Sequence, residues 1–276
     1  MKNETLESSD IDLLLETIYN HYGYDFRNYA RASLVRRVND FVERNGFTNI
    51  AFLAAEVKNN KGLFDSLIQN LSITVTDMFR DPNVYKMIRE NIIDVIKTFP
   101  FLKIWHAGCA TGEEVYSLAI LLMEEGLYDR CQIYATDFNN IAIQKAKDGI
   151  FSLNKVKEFT QNYLFSGGKT AFSDYYHAKY DSIILDRKLK KNITFANHNL
   201  VTDTAFGEMN LIFCRNVLIY FNQKLQNKVL NLFNESLILN GFLCLGTKES
   251  LRFSSLEDKY EIVSQNEKIY RKITLN

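Results

Sequence analysis

The 276-residue chain has only two prolines, one tryptophan and four histidines, and its 33 basic side chains are matched by 33 acidic ones. Without an excess of charge of either sign, the composition gives no electrostatic argument for nucleic acid as a partner. No apolar run approaches the roughly 20 residues that a membrane span needs, so no direct membrane insertion is expected. The first ten residues, MKNETLESSD, lack the apolar core of a secretory signal, which makes the cytoplasm the expected compartment. Cysteine is scarce and scattered: Cys109, Cys131, Cys214 and Cys244 form no C-x-x-C pair. Reduced core thiols are expected rather than disulfides or metal ligands. His21, His106, His177 and His198 show no ligand spacing either, and no structural metal is expected.

The rest of the composition is that of an ordinary globular chain, long enough for one large domain or two modest ones. Helical periodicity fills the first hundred residues. Ile11, Leu14, Leu15, Ile18 and Tyr19 form an apolar face behind a capping Ser9 or Asp10. Leu34, Val35, Val38, Phe41 and Val42 form a second face that Gly46 closes. Shorter helices are expected over 52–57 and 63–68. Asp81-Pro82 reads as the cap and first position of a further helix running toward Phe99, ended by Pro100. An α-helical domain over 1–80 and a linker helix over 81–100 follow. Within the first domain, residues 26–38 contain Arg27, Arg31, Arg36 and Arg37 and no acid. Helical spacing puts Arg27 and Arg31 on one face, either as a solvated surface or as a dock for an acidic protein partner.

Beyond Pro100 the pattern alternates. Strands are expected at 104–105, 133–136, 193–196, 211–214 and 242–245, with helices after the first, second and fourth. Gly149 closes the second of these helices, and Gly241 is expected to stop the long one after the fourth strand. An antiparallel pair is expected over 260–263 and 269–273. This alternation implies an α/β domain over 101–276 with a mostly parallel sheet covered on both faces. The stretch 151–191 breaks the rhythm. It suggests a small inserted antiparallel sheet at about 165–192, which covers a cofactor, holds a partner or is an inert loop.

The first strand leads into a loop bracketed by Gly108 and Gly112, and then into a helix. Such a turn brings backbone N–H groups close to a nucleotide-like ligand. The spacing departs from G-x-G-x-x-G, and Glu113 and Glu114 open the helix where phosphate would be repelled. Two readings stand: the acids complement a cationic ligand such as S-adenosylmethionine, or they stabilise the first helical turn. The second strand ends in Asp137, placed to accept hydrogen bonds from ribose hydroxyls or else to cap the next helix.

Five segments together make the pattern specific: FRDP from Phe79, HAGCATGEEVYS from His106, ATDFNNIAIQKAKDGIF from Ala135, HNL from His198 and IFCRNVLIYF from Ile212. In order and spacing they resemble the chemotaxis receptor methyltransferase (CheR) family. The resemblance implies an S-adenosylmethionine-dependent methyltransferase of Rossmann-like α/β fold, with an N-terminal all-α domain and a small inserted antiparallel β subdomain. It implies methyl transfer to glutamate carboxylates on a methyl-accepting chemotaxis receptor, giving methyl esters and S-adenosylhomocysteine. Matched position by position, it puts cofactor contacts at Thr76, Arg80, Glu114, Asp137, Asn199, Leu200, Arg215 and Asn216, beside the loop glycines Gly108 and Gly112. A cofactor contact is also expected at Thr74, which stands where the family often has asparagine, although a hydroxyl replaces only some of an amide's hydrogen bonds. Val115 stands where the family commonly has proline or a small residue. Arg80 and Tyr220 are implied beside the reaction centre, against the plainer readings of a surface ion pair with Asp77 or Asp81 and of a core aromatic. Glutamate is already ionised at neutral pH, with an ordinary pKa near 4.3, so no general base is required. Arg27, Arg31, Arg36 and Arg37 become the expected dock for the acidic receptor, and a monomer is expected. The alternatives are a methyltransferase acting on another substrate, or a cofactor-binding signalling module without turnover.

Overall fold

A computed structural model describes residues 2–274, with side chains described from residue 9 onward. The chain divides into two compact units. The first takes in residues up to Ile73 together with Val201–Asp203 and Leu218–Val229.

In the first unit, four helices run in sequence: α1 (Lys2–Tyr22), α2 (Arg31–Arg44), α3 (Ile50–Asn59) and α4 (Lys61–Leu71). Ile11, Leu14, Leu15 and Ile18 are buried along α1, and Leu34, Val38 and Phe41 along α2, as their 3.6-residue spacing requires. Asn49 caps α3 by accepting from the Phe52 N–H at 2.8 Å, and Asn60 caps α4 by accepting from Leu63 N–H at 3.0 Å. Two expectations are corrected. Ser9 and Asp10 lie inside α1, which starts at Lys2, so neither is its cap. Arg27 lies in the turn ahead of α2, so it shares no helix face with Arg31. The reason is local pairing. Asp25 accepts from both the backbone N–H and the guanidinium of Arg27, and Tyr29 and Ala30 are then held extended, with Tyr29 bridged to Phe221 and Ala30 N–H donating to the Tyr220 carbonyl at 2.7 Å.

The second unit is built on a seven-stranded sheet in the order β6-β2-β1-β7-β8-β10-β9. Its strands are β1 (Leu102–Ala107), β2 (Cys131–Asp137), β6 (Ile193–Asn197), β7 (Met209–Cys214), β8 (Leu237–Leu245), β9 (Tyr260–Ser264) and β10 (Ile269–Lys272). All neighbours run parallel except β10, which is antiparallel to both β8 and β9. The central strands β1 and β7 are almost wholly buried, which explains why they read as short apolar runs rather than as alternating patterns. Strand order reverses between β1 and β7, so a crevice for ligands is expected at their carboxyl ends.

Helices α5 (Pro82–Asn91), α6 (Ile93–Ile96), α7 (Glu113–Glu124), α8 (Asn140–Asp148) and α9 (Val156–Phe165) belong to this unit. The stretch from Asp81 to Phe99 is therefore two helices with a break at Ile92, not one. A three-stranded antiparallel sheet, β3 (Ile150–Ser152), β5 (Ser182–Leu185) and β4 (Tyr176–Lys179), reaches back to Ile150, ahead of residue 165. The long helix α10 (Gln223–Ser236) ends before Gly241, which lies within β8. Its last turn is satisfied by the buried Lys272, whose ammonium donates to the carbonyls of Asn234 at 2.7 Å and Leu237 at 2.9 Å. A cation at a helix C-terminus does the work that a terminal glycine was expected to do. All four cysteines are buried free thiols, and no helix among the described residues is long and apolar enough to cross a membrane.

Candidate functional site

The loop between β1 and α7 is held by the end of β2. Gly108 and Cys109 both donate their backbone N–H to the Thr136 carbonyl, at 2.8 and 2.9 Å. One carboxylate oxygen of Asp137 accepts from Ala110 N–H and the other from Asn139 N–H, each at 2.9 Å. Burial raises the Asp137 pKa, and the backbone donors oppose that shift. The cap of α8 is Asn139, whose side chain accepts from Ile141 and Ala142 N–H. Asp137 is therefore not the helix cap; it joins the loop to the strand and keeps acceptor capacity on both oxygens.

Gly108, Ala110 and Gly112 all have positive φ, at 74°, 47° and 93°. A Cβ on Gly108 would come within 2.5 Å of Val217 Cγ2, and one on Gly112 within 2.8 Å of Ala146 Cβ. Backbone conformation and close approach by neighbouring side chains account for these glycines.

The two acids that open α7 separate in role. Glu114 is buried and pairs with Arg215, whose side chain is fully buried. Arg215 also donates to the Arg80 carbonyl at 3.0 Å and to the Asp81 carboxylate at 2.5 Å. Glu113 instead accepts from the Thr111 hydroxyl at 2.7 Å. It lines a cavity of about 250 Å³ together with Thr76, Asp77, Lys145, Phe151 and Lys155. Burial pushes the Glu113 pKa up to about 7, against the hydrogen bond from Thr111.

Arg80 is half-buried, and its guanidinium donates to the Val75 carbonyl at 3.3 Å. Neither acid considered as its ion-pair partner holds it: Asp77 pairs with Lys155 at 2.9 Å, and Asp81 with Arg215. Thr74 and Thr76 flank Val75 and are half-buried. On the far side, His198 N–H donates to the Asp137 carbonyl at 3.1 Å, which brings the turn carrying Asn199 and the buried Leu200 beside Asp137. Asn216 follows Arg215 with φ 59°, and its side-chain oxygen is buried without a partner among the described residues.

The second unit thus gathers Thr74, Thr76, Arg80, Gly108, Gly112, Glu114, Asp137, Asn199, Leu200, Arg215 and Asn216. Tyr220 and the four arginines belong to the first. Tyr220 is half-buried between the buried Leu218 and Phe221, and its phenol lies within electrostatic reach of Arg37. Burial lowers the Arg37 pKa, and its guanidinium donates to the Asn70 carbonyl at 3.2 Å. Arg27 pairs with Asp25 and Glu16, and Arg31 with Asp12. Arg36 is exposed and makes no ion pair among the described residues.

Sequence reasoning missed Glu249. This buried carboxylate accepts from the backbone N–H groups of Asn216 at 3.0 Å and Gly246 at 2.6 Å, fixing the turn that presents Asn216. No periodic or motif signal marks it. His106 sits in β1 with both ring nitrogens buried and unpartnered. Burial and the nearby Arg215 lower its pKa to about 3, so the ring is neutral at physiological pH.

Against known families, residues 9–72 match the profile described as "CheR methyltransferase, all-alpha domain" and residues 74–269 match "CheR methyltransferase, SAM binding domain". The chain is similar to "Putative methyltransferase Cher3" of Pseudomonas putida, with 46% identity over 99% of this chain and 100% of that protein. It is also similar to proteins named "Chemotaxis protein methyltransferase". The one from Vibrio anguillarum is 30% identical over 88% of this chain and 90% of its own length. The one from Borreliella burgdorferi is 27% identical over 91% of each.

Proposed function

Since the chain belongs to the CheR methyltransferase family and carries its S-adenosylmethionine-binding domain, we propose that it methylates glutamate side chains of a chemotaxis receptor, forming methyl esters. The donor is S-adenosylmethionine, and the residues present fit it. Asp137 retains two carboxylate oxygens for ribose hydroxyls, and the orphaned Asn216 side-chain oxygen awaits a donor. When bound, the cofactor supplies an electrophilic methyl on a sulfonium. The protein's own task is to bring a carboxylate into line with that methyl and to strip water from it.

One observation carries this reading of the acceptor: among the described residues no carboxylate forms an ion pair with the Arg80 guanidinium, which donates to the Val75 carbonyl, while Asp77 pairs with Lys155 and Asp81 and Glu114 share Arg215. A guanidinium not ion-paired to a carboxylate suits an incoming one through charge-assisted hydrogen bonds. A part for Tyr220 in orienting the acceptor through its phenol is carried by the family resemblance alone. Receptor docking is assigned to Arg27, Arg31, Arg36 and Arg37, of which Arg36 makes no ion pair among the described residues.

A different acceptor is the second reading. Transfer of labelled methyl to a purified receptor cytoplasmic domain separates the two. A glutamyl ester releases volatile methanol in alkali; label stable to alkali points to another acceptor, and no label at all to a binding module without turnover.

A further inference from the structure

The turn Phe79-Arg80-Asp81 has an unusual backbone. Phe79 and Asp81 both lie in the left-handed region, at φ 52° and 51°. For a bulky residue such as Phe that conformation is an outlier, held only where the surroundings over-determine it. The holding groups are identifiable within the second unit. Phe79 N–H donates to the Ser117 hydroxyl of α7 at 2.8 Å, and its ring is fully buried. Arg80 presents its carbonyl to Arg215, and Asp81 its carboxylate to the same guanidinium.

Asp81 occupies the N-cap position of α5, yet its side chain makes no capping hydrogen bond. Its carboxylate is spent on Arg215 at 2.5 Å instead. Arg215 in turn is anchored to Glu114 in the first turn of α7. One buried guanidinium therefore ties two consecutive residues of the turn to the helix that follows the glycine loop. The charges close as well: Arg80 and Arg215 against Glu114 and Asp81, with Arg80 acting electrostatically on Glu114.

We infer that Asp81 is a positioning residue: through Arg215 it locks the strained backbone from which the Arg80 guanidinium projects, so that Arg80 meets the acceptor carboxylate without reorganising. This rests on the acceptor reading given above. Without the Asp81 charge, Arg215 keeps Glu114 and the Arg80 carbonyl, but the backbone at residue 81 loses its anchor.

Asp81→Asn tests this cleanly, because asparagine tolerates the left-handed region as well as aspartate does and only the charge is removed. Two measurements are made. Hydrogen exchange of peptides covering residues 78–84 is expected to accelerate about tenfold, while peptides from β1 and β2 do not change. Steady-state kinetics with labelled cofactor are expected to show kcat/KM for the receptor down about tenfold, with S-adenosylhomocysteine affinity within about twofold of wild type. Asp81→Glu, which restores the charge, is expected to recover part of the loss.

Unchanged exchange over residues 78–84 overturns the inference. So does unchanged kcat/KM, or a parallel loss of cofactor affinity and of exchange protection throughout the unit, which marks a merely structural role. Should the wild type transfer no methyl to glutamate, the acceptor reading fails, and the exchange measurement alone decides whether Asp81 locks the turn.

Discussion

Arginine is used in two different ways in the two units. Arg27 and Arg31 in the helical unit are more than a third exposed and pair with acids that are themselves partly in solvent. Arg215 in the α/β unit is fully buried and serves Glu114, Asp81 and the Arg80 carbonyl at once. Exposed pairs are cheap to break and cheap to exchange for an external partner. A buried charge must be satisfied inside the protein, and removing its counter-charge leaves an ion stranded away from water. Under the proposed function, docking and construction thus call on the same side chain in opposite settings.

The sharpest way to break this contrast is Arg215→Ala, which leaves Glu114 buried without a cation. Unfolding by urea is expected to show a loss of about 3–5 kcal/mol. A loss below about 1 kcal/mol would put Arg215 in the same class as the surface pairs.

Glu113 gives the next largest effect. Its folded-state pKa, near 7, stands above the ordinary 4.5 because burial disfavours the ionised form. The stability it contributes is therefore fully present below about pH 4.5 and lost as pH rises through about 7. Glu113→Gln, always neutral, lacks this dependence. The wild type is expected to lose about 3 kcal/mol relative to that variant between pH 4.5 and pH 8. Urea midpoints that keep a constant difference across this range would show that Glu113 ionises without penalty.

Arg31→Ala stands at the small end. Breaking its pair with Asp12 is expected to cost less than about 1 kcal/mol, measured in the same urea series. A larger loss would mean that the helical unit uses its arginines as the α/β unit does.

Much of the fold was legible because its signals are local. The strands at 133–136, 193–196 and 211–214 lie within β2, β6 and β7, since a buried strand needs only a short apolar run between turn residues. Gly149 ends α8 in the left-handed conformation, at φ 59°, as its place after a periodic segment implied. Part of what escaped was settled by partners far away in sequence. Arg215 meets Glu114 and Asp81 across 101 and 134 residues, and no spacing rule reaches that far. Arg27 was misplaced onto a helix because Asp25, two residues earlier, outcompetes helical propensity by binding both its backbone and its guanidinium. The loop itself did not tell Glu113 from Glu114, and only the family resemblance singled out Glu114 as a cofactor contact. The structure adds the physical difference: Glu114 is committed to Arg215 and Glu113 faces the cavity.

The acceptor assignment is tested most directly by mass spectrometry of receptor cytoplasmic domain incubated with the enzyme and S-adenosylmethionine. The account predicts a gain of one methylene on glutamate side chains, reversed by mild alkali and abolished in Arg80→Ala. Modification on any other residue type, or a gain that survives alkali, would contradict it.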